Sequence, residues 1–364
     1  MKRIYKATIS VVLVMALMMM FTGCDQTKKA EKIAMRLMDA IVAIDQESVQ
    51  KYATNTLAPK YEEYNNETWK AIAQAISEKT TYAVTSSAEA EENIQVTVEV
   101  TALDMASIAK DIHITILKEV AENPEQTAEA QNARVTELYK EAVSKEDAST
   151  ANHAVTLTMT KIDGDWKTEI TDELLDALYG GTVSAIDKIT ATESTVSGLI
   201  DAINTVDDET VNQYILDPED NECSDLVDMH DEDWMVVGGL IGSKTTYRFI
   251  DWEEVDETTV NVSAQITSID MRPIMKEVYP TFIREALVAA FSGHEMTDEE
   301  ISTTLTTLFK DALSKENLAT IQKTVTVKVV NVDGEWKAEI TDELLNACYG
   351  GVSTALDEVE KSMN

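Results

Sequence analysis

Cysteine, proline, aromatic residues and basic residues are all scarce in this chain of 364 residues, and each scarcity excludes something. There are three cysteines and five prolines, and aromatics make up 6%. Three thiols with no Cys-x-x-Cys spacing rule out a disulfide framework and the usual zinc or redox pairs. Beyond Cys24 there remain Cys223 and Cys348, which the internal repeat described below aligns with Ala58 and Leu178. Two unrelated buried thiols are therefore expected, a single bridge outside the cell being the alternative. Lys and Arg number 30 against 66 Asp and Glu, a net charge of −36. Such a surface repels phosphate backbones and anionic headgroups, so nucleic acid is excluded as a partner and the folded part is expected to stand off a bilayer. The charge reads as a generic solubility feature, with weak binding of divalent cations as the alternative. Glycine-rich phosphate loops, nucleophile elbows and His/Cys pairs are missing too, and no cofactor is expected.

What is present starts at the amino end. Lys2, Arg3 and Lys6 precede an apolar run from Ile9 to Phe21, which Gly23-Cys24 closes. That is the order of an export signal. Bulky Phe21, three residues before Cys24, makes a poor site for the ordinary signal peptidase. The run Phe21-Thr22-Gly23-Cys24 instead resembles the lipobox of bacterial lipoproteins, with Phe21 where Leu is usual. The resemblance implies residues 1–23 as signal peptide and Cys24 as the lipidated first residue of the mature chain, anchored by palmitate-type acyl chains. Residues 24–30 are read as a tether. The uncharged stretch Ala7–Cys24 could alternatively stay as a membrane helix. In both readings the positive-inside bias puts everything after Cys24 outside the cytoplasm.

The rest of the chain repeats itself. Asp163-Gly164-Asp-Trp166 and the residues up to Gly180-Gly181 return as Asp333-Gly334-Glu-Trp336 up to Gly350-Gly351, with 15 of 19 positions identical. Upstream, Trp69 matches Trp234, Lys79-Thr-Thr-Tyr82 matches Lys244-Thr-Thr-Tyr247, and Asp39-Ala-Ile41 matches Asp201-Ala-Ile203. A repeat this long is a whole domain, so the reading is two autonomous domains, 31–188 and 189–364. In each, helical spacing comes first, as in Ile33, Leu37, Ile41 and Ile44, then a helix from about Tyr61 carrying Trp69, Ile72 and Ile76. The period then changes to two at Ile94, Val96, Val98 and Val100, and at Val260, Val262, Ala264 and Ile266. A helical interruption follows, Met105 to about Lys145 or Met271 to about Lys315. Val155, Leu157 and Met159, or Val325, Val327 and Val329, then lead into hairpins turning at Asp163-Gly164 and Asp333-Gly334. A last helix starts at Thr171 or Thr341 and stops at the paired glycines. Helices on an antiparallel sheet make the fold class α+β. Trp166 and Trp336 are expected to be core residues that pin the hairpin.

Leading helices, antiparallel strands and a terminal D-G-x-W hairpin resemble the NTF2-like (cystatin-like) superfamily. With the lipobox and the E-L-L-x-A-x-x-G-G helix, the chain resembles uncharacterised lipoprotein domains of Gram-positive bacteria. These motifs imply a fold and a surface location and bring no catalytic residues. The helical interruption between the strand pairs departs from the compact NTF2-like plan.

Candidate chemistry is thin. Asp163-Gly164-Asp165 lacks the alternating oxygens of a calcium loop and reads as a turn. His294-Glu295 opens like a zincin motif, but Asp298 stands where the second His belongs. Asp228, His230, Asp231 and Asp233 cluster without a counterpart around Glu62, Tyr64, Asn65 and Glu67, and read as a solvated loop. Met105 and Met271 read as core. The inward strand positions are aliphatic in both copies, and no ionisable group is expected on that face, which argues against acid–base catalysis. The reading is a cell-surface binding or scaffold module that is not an enzyme, held to the membrane through Cys24 and meeting an unidentified envelope partner. The alternatives are a carrier of an apolar ligand or transport component, and an enzyme with an NTF2-like pocket.

Overall fold

In a computed structural model the described residues are 26–43, 45–55, 67–216 and 232–363. They form thirteen helices and eight strands, and the strands make two four-stranded antiparallel sheets. The protein is α+β, with two tandem helix-on-sheet domains.

In the first copy, α1 (Gln26–Val42) opens the fold. It begins inside the stretch read as a tether, and Ala30 is already fully buried. Ala34, Leu37, Met38 and Ile41 continue its buried stripe at helical spacing. A short α2 (Gln46–Tyr52) follows, capped by Asp45, whose carboxylate accepts from the Ser48 amide. Ile44 and most of the first turn of the helix expected near Tyr61 lie outside the described residues. That helix is α3 (Glu67–Lys79).

The sheet runs β1 (Thr81–Ala90), β2 (Asn93–Leu103), β3 (Thr150–Ile162) and β4 (Asp165–Lys167), each antiparallel to the next. Between β2 and β3 the helical interruption resolves into α4 (Met105–Glu122) and α5 (Ala128–Ser144), the latter capped by Thr127. The hairpin turn has φ of 53° at Asp163 and 95° at Gly164. Two consecutive positive values are what a type I′ turn needs to match the strand twist. Thr171 caps α6 (Asp172–Leu178), after which Gly180-Gly181 lead into α7 (Thr182–Thr205).

The second copy repeats this order with α8 (Asp208–Tyr214), α9 (Glu232–Gly242), β5 (Thr246–Glu254), β6 (Thr259–Ile269), α10 (Met271–Phe291), α11 (Asp298–Leu313), β7 (Thr320–Val332), β8 (Glu335–Ala338), α12 (Asp342–Cys348) and α13 (Val352–Met363). Helix α7 serves both copies. Its start corresponds to α13 and its remainder to α1, so one 24-residue helix fuses the last helix of one copy with the first of the next.

By compactness the chain divides into a unit ending at Ile112 and resuming over Thr127–Asp187, and a unit of His113–Gln126 with Lys188–Asn364. The first unit's core joins α1, β2, β3 and α6 through Leu37, Ile41, Val96, Val98, Leu157 and Leu174. The second is built on Ile200, Ile203, Trp252, Val262, Val327 and Leu344. Ile114 and Leu117 of α4 pack against this second core. His113–Gln126, which lie in the first copy by sequence, are thus part of the second unit.

Candidate functional site

Strand alternation decides which side chains face the helices. Val155, Leu157 and Met159 are buried, so His153 falls on the same face, and its cross-strand neighbour is buried Val100, itself opposite Tyr82. The second sheet carries Tyr247, Ile266 and Lys323 across the corresponding rung. The inward faces therefore do hold ionisable groups, contrary to the expectation from sequence. His153 and Lys323 interrupt the aliphatic run, which resumes at Ala151 and Ile321, next to the starts of β3 and β7 at Thr150 and Thr320.

The phenols are held by carboxylate and hydroxyl partners from the leading helix. Tyr82 donates to Asp39. Burial, reinforced by the bond to Asp39 and that residue's charge, raises the phenol well above its ordinary value. Tyr247 bonds Ser197 at 2.6 Å. Its pKa is raised by burial and by Asp201, against the opposing effect of the Ser197 bond. Both stay protonated at neutral pH and serve as hydrogen-bonding groups, not bases. His153 Nε2 is buried without a partner among the described residues. Lys323, at the matching place, has its ammonium pKa lowered by desolvation, opposed by Glu343 and helped by Arg272.

Beside these residues lie the paired glycines. A Cβ on Gly180 would fall 1.8 Å from the Leu103 carbonyl oxygen, and one on Gly350 would fall 1.8 Å from that of Ile269. With φ of 61° and 67°, only glycine fits. The contact is used: Gly180 O accepts from the Ala106 amide at 2.9 Å and Gly350 O from Met271 at 3.0 Å. The repeated glycines tie the end of the sheet to the start of α4 and α10. Gly181 sits against the His153 ring and Gly351 against Lys323.

At the opposite end of each face stand Trp166 and Trp336, half-buried and packed against the cores instead of sunk within them. Lys161 lies over the Trp166 ring and Lys188 over Trp336, each 5.9 Å from the centroid. Lys188 also bonds Glu254 at 2.6 Å and the Glu257 carbonyl at 2.9 Å. Asp163 and Asp333 are exposed at the turns. Trp69 lies in α3 and Trp234 in α9, the positions of their side chains being outside the described set.

A second polar group was illegible in the sequence. In the second unit, His113 Nε2 lies 2.9 Å from Glu193 and its ring meets Trp252 edge-on at 6.4 Å. Trp252 is 1% exposed and donates Nε1–H to Thr192 Oγ1 at 3.0 Å. Lys118 pairs with Asp251 at 3.6 Å. Helical and strand periodicity marks each of these residues locally, but nothing local joins positions 60 to 139 apart.

The remaining candidates separate cleanly. His294 is exposed and bonds Glu300 at 3.0 Å, beside the capping box of Thr297 and Glu300. Among the described residues no group of three or more His, Cys, Asp or Glu could hold a metal. Cys24, Cys223 and the cluster Asp228, His230 and Asp231 lie outside the described residues, as does the side chain of Asp233. Cys348 is a free, buried thiol whose pKa burial pushes up to about 12. Met105 and Met271 are buried in the core. No helix among the described residues is long and apolar enough to cross a membrane.

The geometry defines a protein of two helix-on-antiparallel-sheet units. Residues 26–180 match the family described as Domain of unknown function (DUF5105), a match that runs from the first residue of α1 to the first of the paired glycines. A crystal structure of YcdA, a candidate lipoprotein of Bacillus subtilis, is similar at 11% identity with a TM-score of 0.36, covering 74% of this chain and 96% of that one. No curated protein matches.

Proposed function

We propose that this protein is an extracytoplasmic lipoprotein, anchored through acylated Cys24, whose two NTF2-like units form a binding or scaffold module without catalytic activity. The observation that supports it best is the filling of both inward sheet faces. Val96, Val98, Val100, Val155 and Leu157, like Val260, Val262, Ala264, Val325 and Val327, are each at most 2% exposed. A carrier would line that face with an accessible cavity, and an enzyme would place a nucleophile beside a base there. Here the phenols are hydrogen-bonding groups, tied to Asp39 and Ser197. The partner is then met on the outer surface. Three experiments test the proposal. Crosslinking of the full-length protein on intact cells should enrich one envelope component reproducibly. Release of a stoichiometric apolar molecule on solvent extraction of the purified protein would overturn the scaffold reading in favour of a carrier. For the anchor, Cys24→Ala should abolish incorporation of a fatty-acid analogue, and retained label would refute it.

A further inference from the structure

We infer that the solvent face of α1, formed by Lys28, Lys29, Lys32 and Arg36, is a contact surface for anionic lipid headgroups, which lays this helix along the membrane beside the anchor. The inference rests on the reading of Cys24 as the lipidated residue. At about 100° per residue, these four side chains fall within an arc of about 100°. All four are exposed. Ala30, Ala34, Leu37 and Ile41, which face the core, occupy the opposite side of the helix. The two acids of the helix are engaged by β1: Glu31, off the stripe, is bonded by Ser87, and Asp39, exposed in line with the stripe one turn beyond Arg36, is bonded by Tyr82. Lys28, Lys32 and Arg36 form no ion pair with the described residues.

The repeat supplies an internal control. The register set by Asp39-Ala-Ile41 and Asp201-Ala-Ile203 puts Thr190, Ala191, Ser194 and Gly198 at the four corresponding positions in α7, none of them charged. Core-facing Ala34, Leu37 and Ile41 have aliphatic counterparts in Val196, Leu199 and Ile203, while the basic stripe is confined to the copy that follows Cys24. In a chain of net charge −36, four of 30 basic residues fall within nine positions, beginning four residues after the anchor. Attraction of basic side chains to an anionic leaflet decays over about 8 Å at physiological salt. A stripe about 12 Å long therefore engages fully only when the helix lies along the surface. The acidic remainder is repelled by the same surface, which favours contact through this face over any other.

The test uses the full-length protein reconstituted in vesicles of phosphatidylcholine alone or with phosphatidylglycerol. Each is treated with an amine-reactive and an arginine-directed reagent and read by mass spectrometry residue by residue. Lys28, Lys29, Lys32 and Arg36 should react about fivefold more slowly on the anionic vesicles. High salt should erase the difference, and Lys315 should change by less than about twofold. Equal rates on both vesicles with Cys24 acylated overturn this inference alone. An unmodified Cys24 peptide in the same spectra overturns the anchor and this inference with it.

Discussion

Trp252 is among the largest fully buried side chains, and its ring sits between Thr192 and His113. Trp252→Ala should cost about 3–5 kcal/mol in the second unit, read by thermal unfolding. Trp252→Phe, which keeps a six-membered ring but loses the hydrogen bond and leaves a smaller cavity, should cost less than the Ala variant. Trp166 and Trp336 belong to a lower class. Their rings are half-buried, and Ala at either should cost less than the about 3–5 kcal/mol that full burial would imply. Cys348 carries the residue-scale pH dependence. Its folded pKa is raised from 9.0 to about 12 by burial. The stability it contributes is thus fully present below pH 9 and lost as pH rises through about 12. Tyr82 and Tyr349, also raised by burial, act in the same direction. The melting temperature should hold from pH 7 to 9 and fall above it, and Cys348→Ala should fall less steeply between pH 9 and 11. Parallel curves would refute the assignment to Cys348.

Among the elements, two kinds of repeated glycine do different work. Gly164 and Gly334 occupy the second turn position with open space around the missing Cβ, so Ala there meets only the cost of positive φ, about 1–2 kcal/mol. Gly180 and Gly350 combine positive φ with a backbone oxygen where the Cβ would stand. Gly180→Ala or Gly350→Ala should therefore cost clearly more than Gly164→Ala or Gly334→Ala, because the bond into α4 or α10 must also break. Chemical denaturation of the four variants ranks them, and equal costs would sink the account of the glycine pair as a tie between sheet and helix.

For the whole molecule, the second unit includes His113–Gln126. A fragment of residues 189–364 lacks Ile114 and Leu117 on its core and His113 beside Trp252. It should melt lower than the second transition of the full chain and show red-shifted tryptophan emission, and a peptide of residues 105–126 should restore both. An unchanged spectrum would mean that the segment contributes nothing to that core. Cutting the chain at 188 and 189, where the repeat suggests it, is thus expected to weaken the second unit more than the first.

Elements with a local code were legible from the amino acids alone. Period-two aliphatic runs marked β2, β3, β6 and β7, Asp-Gly marked both hairpin turns, and Thr followed by two acids marked the starts of α6 and α12. A sheet with one buried face and a two-residue turn each leave a signature within about ten residues, and here every signature appeared twice. Where those local runs lead became visible in the packed fold. It extended alternation one rung further to put Tyr82 and His153, or Tyr247 and Lys323, on the inward face. It left Trp166 and Trp336 half-buried, and it set Gly180 against Leu103 and Gly350 against Ile269. It also gave the far half of α4 to the second unit. The physical reason is common to all of these: each depends on packing between residues dozens of positions apart, and burial is a property of what covers a side chain, not of the side chain itself.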